Sequence, residues 1–211
     1  MDRAIVFVDG SNWYHACAAL GLRNLGQLNF SKVSRKLVQD RQWIATRYYV
    51  GEVPQSGNRG LAANQRQFLA FLRSCDYRIT VHLGRLEPRE IPNETAAELL
   101  RYLSALRSRI NPSVYHDLLE LGRAHSVARV MVEKAVDVQI AVDMVVMAER
   151  DQYDTAYLLS ADGDLTPAVE SVIAAGRRVF VASPGNGARL AEACSAYLRL
   201  RKPWFSDVFG A

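Results

Sequence analysis

The stretch AIVFVDGSNW, Ala4 to Trp13, sets five apolar residues in a row directly before an Asp-Gly-Ser-Asn turn. An uninterrupted apolar run suits a strand covered on both faces, as in the middle of a parallel sheet, rather than one with a wetted face. Runs of similar character recur at Trp43–Val50, Arg78–Leu83, Thr155–Ser160 and Arg178–Ala182. Between them, FSKVSRKLVQD places Phe30, Val33, Leu37 and Val38 at helical spacing, and LAANQRQFLAFLRSC does the same with Leu61, Phe68, Leu69 and Leu72. Strand alternating with helix predicts an α/β fold, a three-layer sandwich around a central, mainly parallel sheet.

The alternation breaks from about Glu87 to Ala124. NETAAELLRYLSALRSR has Asn93 as an N-cap, Glu94 and Glu98 in the early turns, and Leu99, Leu100, Leu103 and Leu106 on an apolar side, which predicts an amphipathic helix. Asn111 and Pro112 end it, and SVYHDLLELGR starts a second helix that Gly122 is expected to close. The chain thus reads as one domain, residues 1–211, with a helical insertion at about 87–124. A lid, a substrate wall or a homodimer contact is the expected use of that insertion.

With 211 residues, 49% hydrophobic and 23% charged, the chain has the composition of a globular protein with a substantial core. Cys17, Cys75 and Cys194 are odd in number, dispersed and outside any Cys-x-x-Cys spacing, which excludes a disulfide framework or a zinc site and suits a reducing cytoplasm. No leader sequence is expected, since the run Ala4–Val8 is short and ends at Asp9. VQIAVDMVVMA, interrupted by Gln139 and Asp143, falls far short of the roughly 20 residues needed to span a bilayer, so no membrane partner is expected. The net charge of +4 serves solubility and also permits a polyanionic partner.

In an open parallel sheet, ligands bind beyond the carboxyl ends of the strands, near the point where strand order reverses. Asp9 follows the first strand, and Asp162 and Asp164 follow YLLS, so three acids fall at such ends. Asp137 opens the apolar helix of EKAVDVQIAVDM, and Asp143 lies six residues on, about 240° further around the helix, which makes it a supporting residue at most. Each acid alone has an ordinary use as a cap or an Asx turn. Together they repel, by about 3 kcal/mol for a pair 5 Å apart at an effective dielectric near 20. Such a set is tolerable where a cation is held. All-oxygen ligation without nearby His or Cys favours Mg²⁺ or Mn²⁺, which activate water and stabilise a leaving oxygen in phosphodiester hydrolysis.

At AIVFVDGSNWYHA, EKAVDVQIAVDM and DTAYLLSADGDLTPAVESVIAAGRRVFVAS the chain resembles the NYN domain family, specifically its LabA-like branch, within the PIN-like nucleases. The matching pieces lie toward the two ends of the domain and leave the helical insertion unmatched. The resemblance implies a PIN-like fold, an acidic pocket for divalent metal and metal-dependent ribonuclease activity. It implies Asp9 as the first-strand ligand, Asn12 as the pocket amide, Asp137 as the helix-borne acid, and Asp162 and Asp164 as the pair after the fourth strand. The chain departs from the pattern with Ala161 and Leu165 where relatives often have Gly and Phe, and with Ala135 where Gly is usual.

Ser11, Asn12 and Ser160 are short polar side chains suited to holding water or a scissile phosphate, or to capping a helix. Arg59, Arg66, Arg85, Arg89 and Lys134, near strand ends, are the expected contacts to RNA phosphates, although exposed cations are more often simply solvated. Trp13, Tyr48 and Tyr49 are available to stack bases, but aromatics flanking strands more often belong to the core. SPGNGARL is either a phosphate-binding helix start or a plain turn. A dehalogenase-type phosphohydrolase would need a second Asp two residues after Asp9, where Ser11 stands, and a dinucleotide oxidoreductase would need Gly-x-Gly-x-x-Gly after the first strand. The alternative to a ribonuclease is a regulator that binds RNA or protein with little turnover. A toxin restrained by a neutralising protein partner is a further possibility.

Overall fold

A computed structural model describes residues 1–54 and 59–210. Seven strands form one sheet, β1 (Arg3–Asp9), β2 (Gln42–Glu52), β3 (Ile79–Pro92), β4 (Val127–Lys134), β5 (Thr155–Leu159), β6 (Arg178–Ser183) and β7 (Ala196–Arg199). Their order is β4-β3-β2-β1-β5-β6-β7, and β1 runs parallel to both β2 and β5. The β2–β3, β5–β6 and β6–β7 pairs are parallel as well. Eight helices accompany them among the described residues: α1 (Gly10–Ala19), α2 (Phe30–Val38), α3 (Arg59–Cys75), α4 (Glu94–Leu106), α5 (Pro112–Ala124), α6 (Val136–Glu149), α7 (Thr166–Ala174) and α8 (Ala188–Ala193). This is the α/β architecture of a PIN-like sandwich.

Alternation along β1 builds the layers. Ala4, Val6 and Val8 enter one core with Trp13, Cys17, Phe30, Val33, Leu37 and Leu72, from α1, α2 and α3. Ile5 and Phe7 enter a second core with Ile140, Met144, Val169 and Val172, from α6 and α7. Successive side chains on a strand point to opposite faces, so a run that is apolar at every position has helices on both sides. Tyr48 and Tyr49 divide between the two cores in the same way. These two residues and Trp13 are almost fully buried, which removes all three as base-stacking surfaces.

The chain divides into two compact units, Met1–Arg85 with Glu133–Ala211, and Leu86–Val132. In the second unit, Asn93 Oδ1 accepts from the Ala96 amide at 3.3 Å at the start of α4, and Asn111 Oδ1 accepts from the Ser113 amide at 2.9 Å at the start of α5. α5 runs past Gly122 rather than closing there. A Cβ on Gly122 would lie 2.7 Å from Leu100 Cδ2, so this glycine serves the close packing of α4 on α5. Two strands lie outside the expected set. β4 reads VARVMVEK, an apolar run broken by Arg129 and ended by Glu133, and β7 is a four-residue edge strand. β3 also continues to Pro92, seven residues past its register with β2, which ends at Glu52 opposite Arg85.

Gly10 is not a flexible turn. It is the first residue of α1, and a Cβ there would meet the Tyr48 ring at 2.6 Å. Left-handed backbone occurs instead at Ala135, φ 70°, where β4 turns into α6. That conformation costs an L-residue with a Cβ about 1 kcal/mol and costs glycine almost nothing. Ala135→Gly is therefore expected to raise stability by about 1 kcal/mol, read as a later urea midpoint at unchanged m-value.

Candidate metal centre

β1 and β5 are neighbours at the point where the strand order reverses, and both carboxyl ends deliver polar side chains there. Asp9 closes β1, is only 3% exposed and is the N-cap of α1. Its Oδ1 accepts from the Asn12 amide at 3.1 Å, and its Oδ2 accepts from the Ser160 hydroxyl at 2.9 Å. Ser160 Oγ accepts in turn from the Asp162 amide at 3.0 Å. Asn12 Oδ1 accepts from the Ala161 amide at 2.9 Å, so it bridges the two strand ends instead of capping its helix. Among the described residues no hydrogen-bond acceptor partners Asn12 Nδ2. Ser11 is half-buried beside it.

Asp137 arrives from the first turn of α6. A Cβ on Gly84 of β3 would lie 2.4 Å from Val136 Cγ2 and 2.8 Å from the Lys134 carbonyl oxygen, so glycine there admits the β4–α6 junction close against the sheet. One carboxylate oxygen from each of Asp9, Asp137 and Asp162 then lies within 4.8 Å of the others. Asp164 is exposed and stands outside this trio, its amide donating to Asp162 Oδ1 at 2.9 Å within the 3₁₀ turn Gly163–Leu165.

Burial pushes the Asp9 carboxyl up to about 6, with the charges of Asp137 and Glu133 adding to the shift and the bonds from Asn12 and Ser160 opposing it. Asp137 is exposed as a residue, but partial desolvation of its carboxyl, followed by the charges of Asp162, Glu133 and Asp164, raises it too. Glu133 is the site residue that sequence reasoning missed. Its Oε1 accepts from the Gly51 amide at the end of β2, and only its adjacency to Lys134 and Asp137 in the same motif could have drawn notice.

Three carboxylates this close, two of them raised and none ion-paired among the described residues, form an all-oxygen donor set that suits a hard divalent cation. Asp143 lies elsewhere, as its position on the helix requires. Its Oδ2 accepts from Arg47 Nη2 at 2.7 Å and from the Tyr49 hydroxyl at 2.6 Å, fixing α6 to β2. Burial raises that carboxyl, but the bonds from Tyr49 and Arg47 and the nearby positive charge outweigh it, for a net lowering. Arg59, Arg66, Arg85 and Lys134 are exposed in the first unit, and Arg89 is exposed in the second. None of the five takes part in an ion pair among the described residues.

The NYN domain model matches residues 3–201. No curated protein matches the sequence significantly. Among solved structures, the chain is similar to a protein of unknown function from Vibrio parahaemolyticus, at 16% identity and a TM-score of 0.57 over 99% of this chain and 95% of that one, a likeness of fold. No helix among the described residues is long and apolar enough to cross a membrane.

The raised Asp9 fixes a pH dependence. An acid whose folded pKa is raised contributes stability fully below its unfolded value near 3.9, and that contribution is lost as pH rises through about 6. Above pH 7 the ionised group costs on the order of 3 kcal/mol, which a bound cation relieves. Mn²⁺ is therefore expected to raise the melting temperature strongly at pH 7.5 and little at pH 5. Without metal, Asp9→Asn is expected to melt above the wild type at pH 7.5 and to gain nothing from Mn²⁺. Differential scanning calorimetry at the two pH values checks both outcomes.

Proposed function

Because the chain belongs to the NYN domain family, whose members are generally nucleases acting on nucleic acid with divalent metals, we propose that it is a metal-dependent ribonuclease of the LabA-like branch. Residues 1–211 are read as a single NYN domain carrying a helical insertion. The observation that supports the reading is the convergence of Asp9, Asp137 and Asp162 within 4.8 Å. These three would hold Mg²⁺ or Mn²⁺, with Asp164 at the rim.

When bound, the metal supplies charge neutralisation at the scissile phosphate and at the leaving oxygen. The chain's own residues prepare the place. Asn12 fixes the β5 end through the Ala161 amide and keeps its NH₂ group for a phosphate oxygen. Ser160, fully buried, locks the orientation of Asp9, so the carboxylate enters the site with little rotational freedom to lose. Ser11 offers a second hydroxyl at the same turn. No protein nucleophile is needed for phosphodiester hydrolysis of this kind, in which water attacks and a carboxylate accepts its proton.

Arg59, Arg66, Arg85 and Lys134 are the cations of the first unit available for the RNA backbone, and Arg89 offers one more in the second. Three free cysteines suit a reducing cytoplasm. The exposed Leu99 and Tyr102 of α4 are where a second copy of the chain, or a neutralising protein, would be sought.

Cleavage of single-stranded and hairpin RNAs is expected with Mn²⁺, to stop on chelation by EDTA, and to fall at least about 100-fold in Asp162→Asn. Equal cleavage by variant and wild type would refute the assignment. Metal-dependent RNA binding without turnover would point to the regulator.

A further inference from the structure

Two divalent ions would still leave Asp9, Asp137, Asp162, Asp164 and Glu133 net negative, so a phosphodiester approaching this edge is repelled unless a cation stands beside it. The neighbouring segment is SPGNGARL, Ser183–Leu190, which leads from the end of β6 into the first turn of α8. Its two glycine amides are already committed. The Gly185 amide donates to Ser183 Oγ at 3.1 Å, the Gly187 amide donates to the Tyr197 hydroxyl at 3.1 Å, and α8 has only six residues. What the segment contributes is a side chain. Arg189 lays its stem over Gly163, the residue between Asp162 and Asp164: a Cβ on Gly163 would lie 3.2 Å from Arg189 Cδ, 3.7 Å from its Cβ and 3.8 Å from its Cγ.

Arg189 is exposed, and no carboxylate among the described residues pairs with its guanidinium. A cation placed simply to neutralise the acids would be expected to pair with one of them, and the stem of Arg189 lies over the residue between Asp162 and Asp164. Instead, the aliphatic part is packed and the charged end is uncommitted. A guanidinium has a planar fork that matches two oxygens of one phosphate, which a lysine cannot reproduce.

The geometry points to Arg189 as the residue that binds the phosphodiester of the substrate beside the three-carboxylate site. This rests on the nuclease reading. Gly163 belongs to the same device, since its missing side chain is what admits the arginine stem. Arg189 was not legible as a site residue because it is 25 positions from the nearest pocket acid, and only the packing of α8 on the Gly163–Leu165 turn brings it there.

The test compares wild type, Arg189→Ala and Arg189→Lys on the same single-stranded RNA with Mn²⁺, alongside Asp162→Asn and the Mn²⁺-induced melting shift of each protein. Arg189→Ala is expected to lose on the order of 10- to 100-fold in kcat/KM with its Mn²⁺ shift unchanged. Arg189→Lys should recover part of the loss, and millimolar guanidinium should partly restore the alanine variant. An alanine variant cleaving within about twofold of wild type while Asp162→Asn is inactive would overturn the role of Arg189 and leave the nuclease reading standing. Loss of the Mn²⁺ shift in Arg189→Ala would also overturn it, because the arginine would then be supporting the acids. A wild type that neither cleaves nor binds RNA would overturn the nuclease reading, and Arg189's role with it.

Discussion

One carboxylate holds the sheet's working edge together. Asp9 accepts from the first turn of its own helix and from Ser160, a fully buried hydroxyl on the neighbouring strand end. The two junctions that follow β1 and β5 are thereby joined at the point where the sheet changes its direction of growth. A buried carboxylate is costly, and its cost here exceeds what two hydrogen bonds return, as the upward shift of its ionisation records. Such an imbalance persists in a native structure when something outside the chain redresses it.

The remaining architecture brings other negative charges to the same place against their mutual repulsion. Ala135 adopts a left-handed conformation to start α6, Gly84 leaves room for that start, and Asp137 emerges from its first turn. Away from the site, Asp143 is neutralised by Arg47 and hydrogen-bonded by Tyr49, so one helix carries a satisfied acid toward the sheet and an unsatisfied one toward the edge. Carboxylates at the opposite end of the strands are treated like Asp143. Asp154 accepts from Arg3, and Asp2 from Arg41, so the acids named at that end are paired, whereas Asp9, Asp137 and Asp162 at the carboxyl edge have no ion pair among the described residues.

Much of this was legible in the sequence, for a physical reason. β1, β5 and β6 are buried on both faces and hence written as continuous apolar runs, and an acid ending such a run has few places to go. Asp9 and Asp162 were read from that rule, Asp137 from its place in the first turn of an apolar helix, and all three from the resemblance to the NYN family. What escaped notice lacks such a signature. β4 is an apolar run broken by Arg129 and ended by Glu133 and Lys134, and β7 is too short for a pattern to emerge. Glu133 and Arg189 are ordinary surface types whose meaning depends on tertiary packing. Gly10 suggested a turn, whereas the structure uses it for clearance against Tyr48, a ring whose burial the local sequence does not reveal. Asp164 follows from the motif but stands exposed at the rim, its amide donating to the Asp162 carboxylate that caps the turn.

The Asp9–Ser160 bond links positions 151 residues apart. A ribosome adding roughly 5–20 residues per second would take on the order of 10–30 seconds to make that intervening chain. Throughout that interval Asp9 lacks Ser160 and Asp162. The edge can form only after β5 slots in beside β1. A site gathered from residues so distant in sequence is absent from every partly made chain that lacks β5 and the turn that follows it.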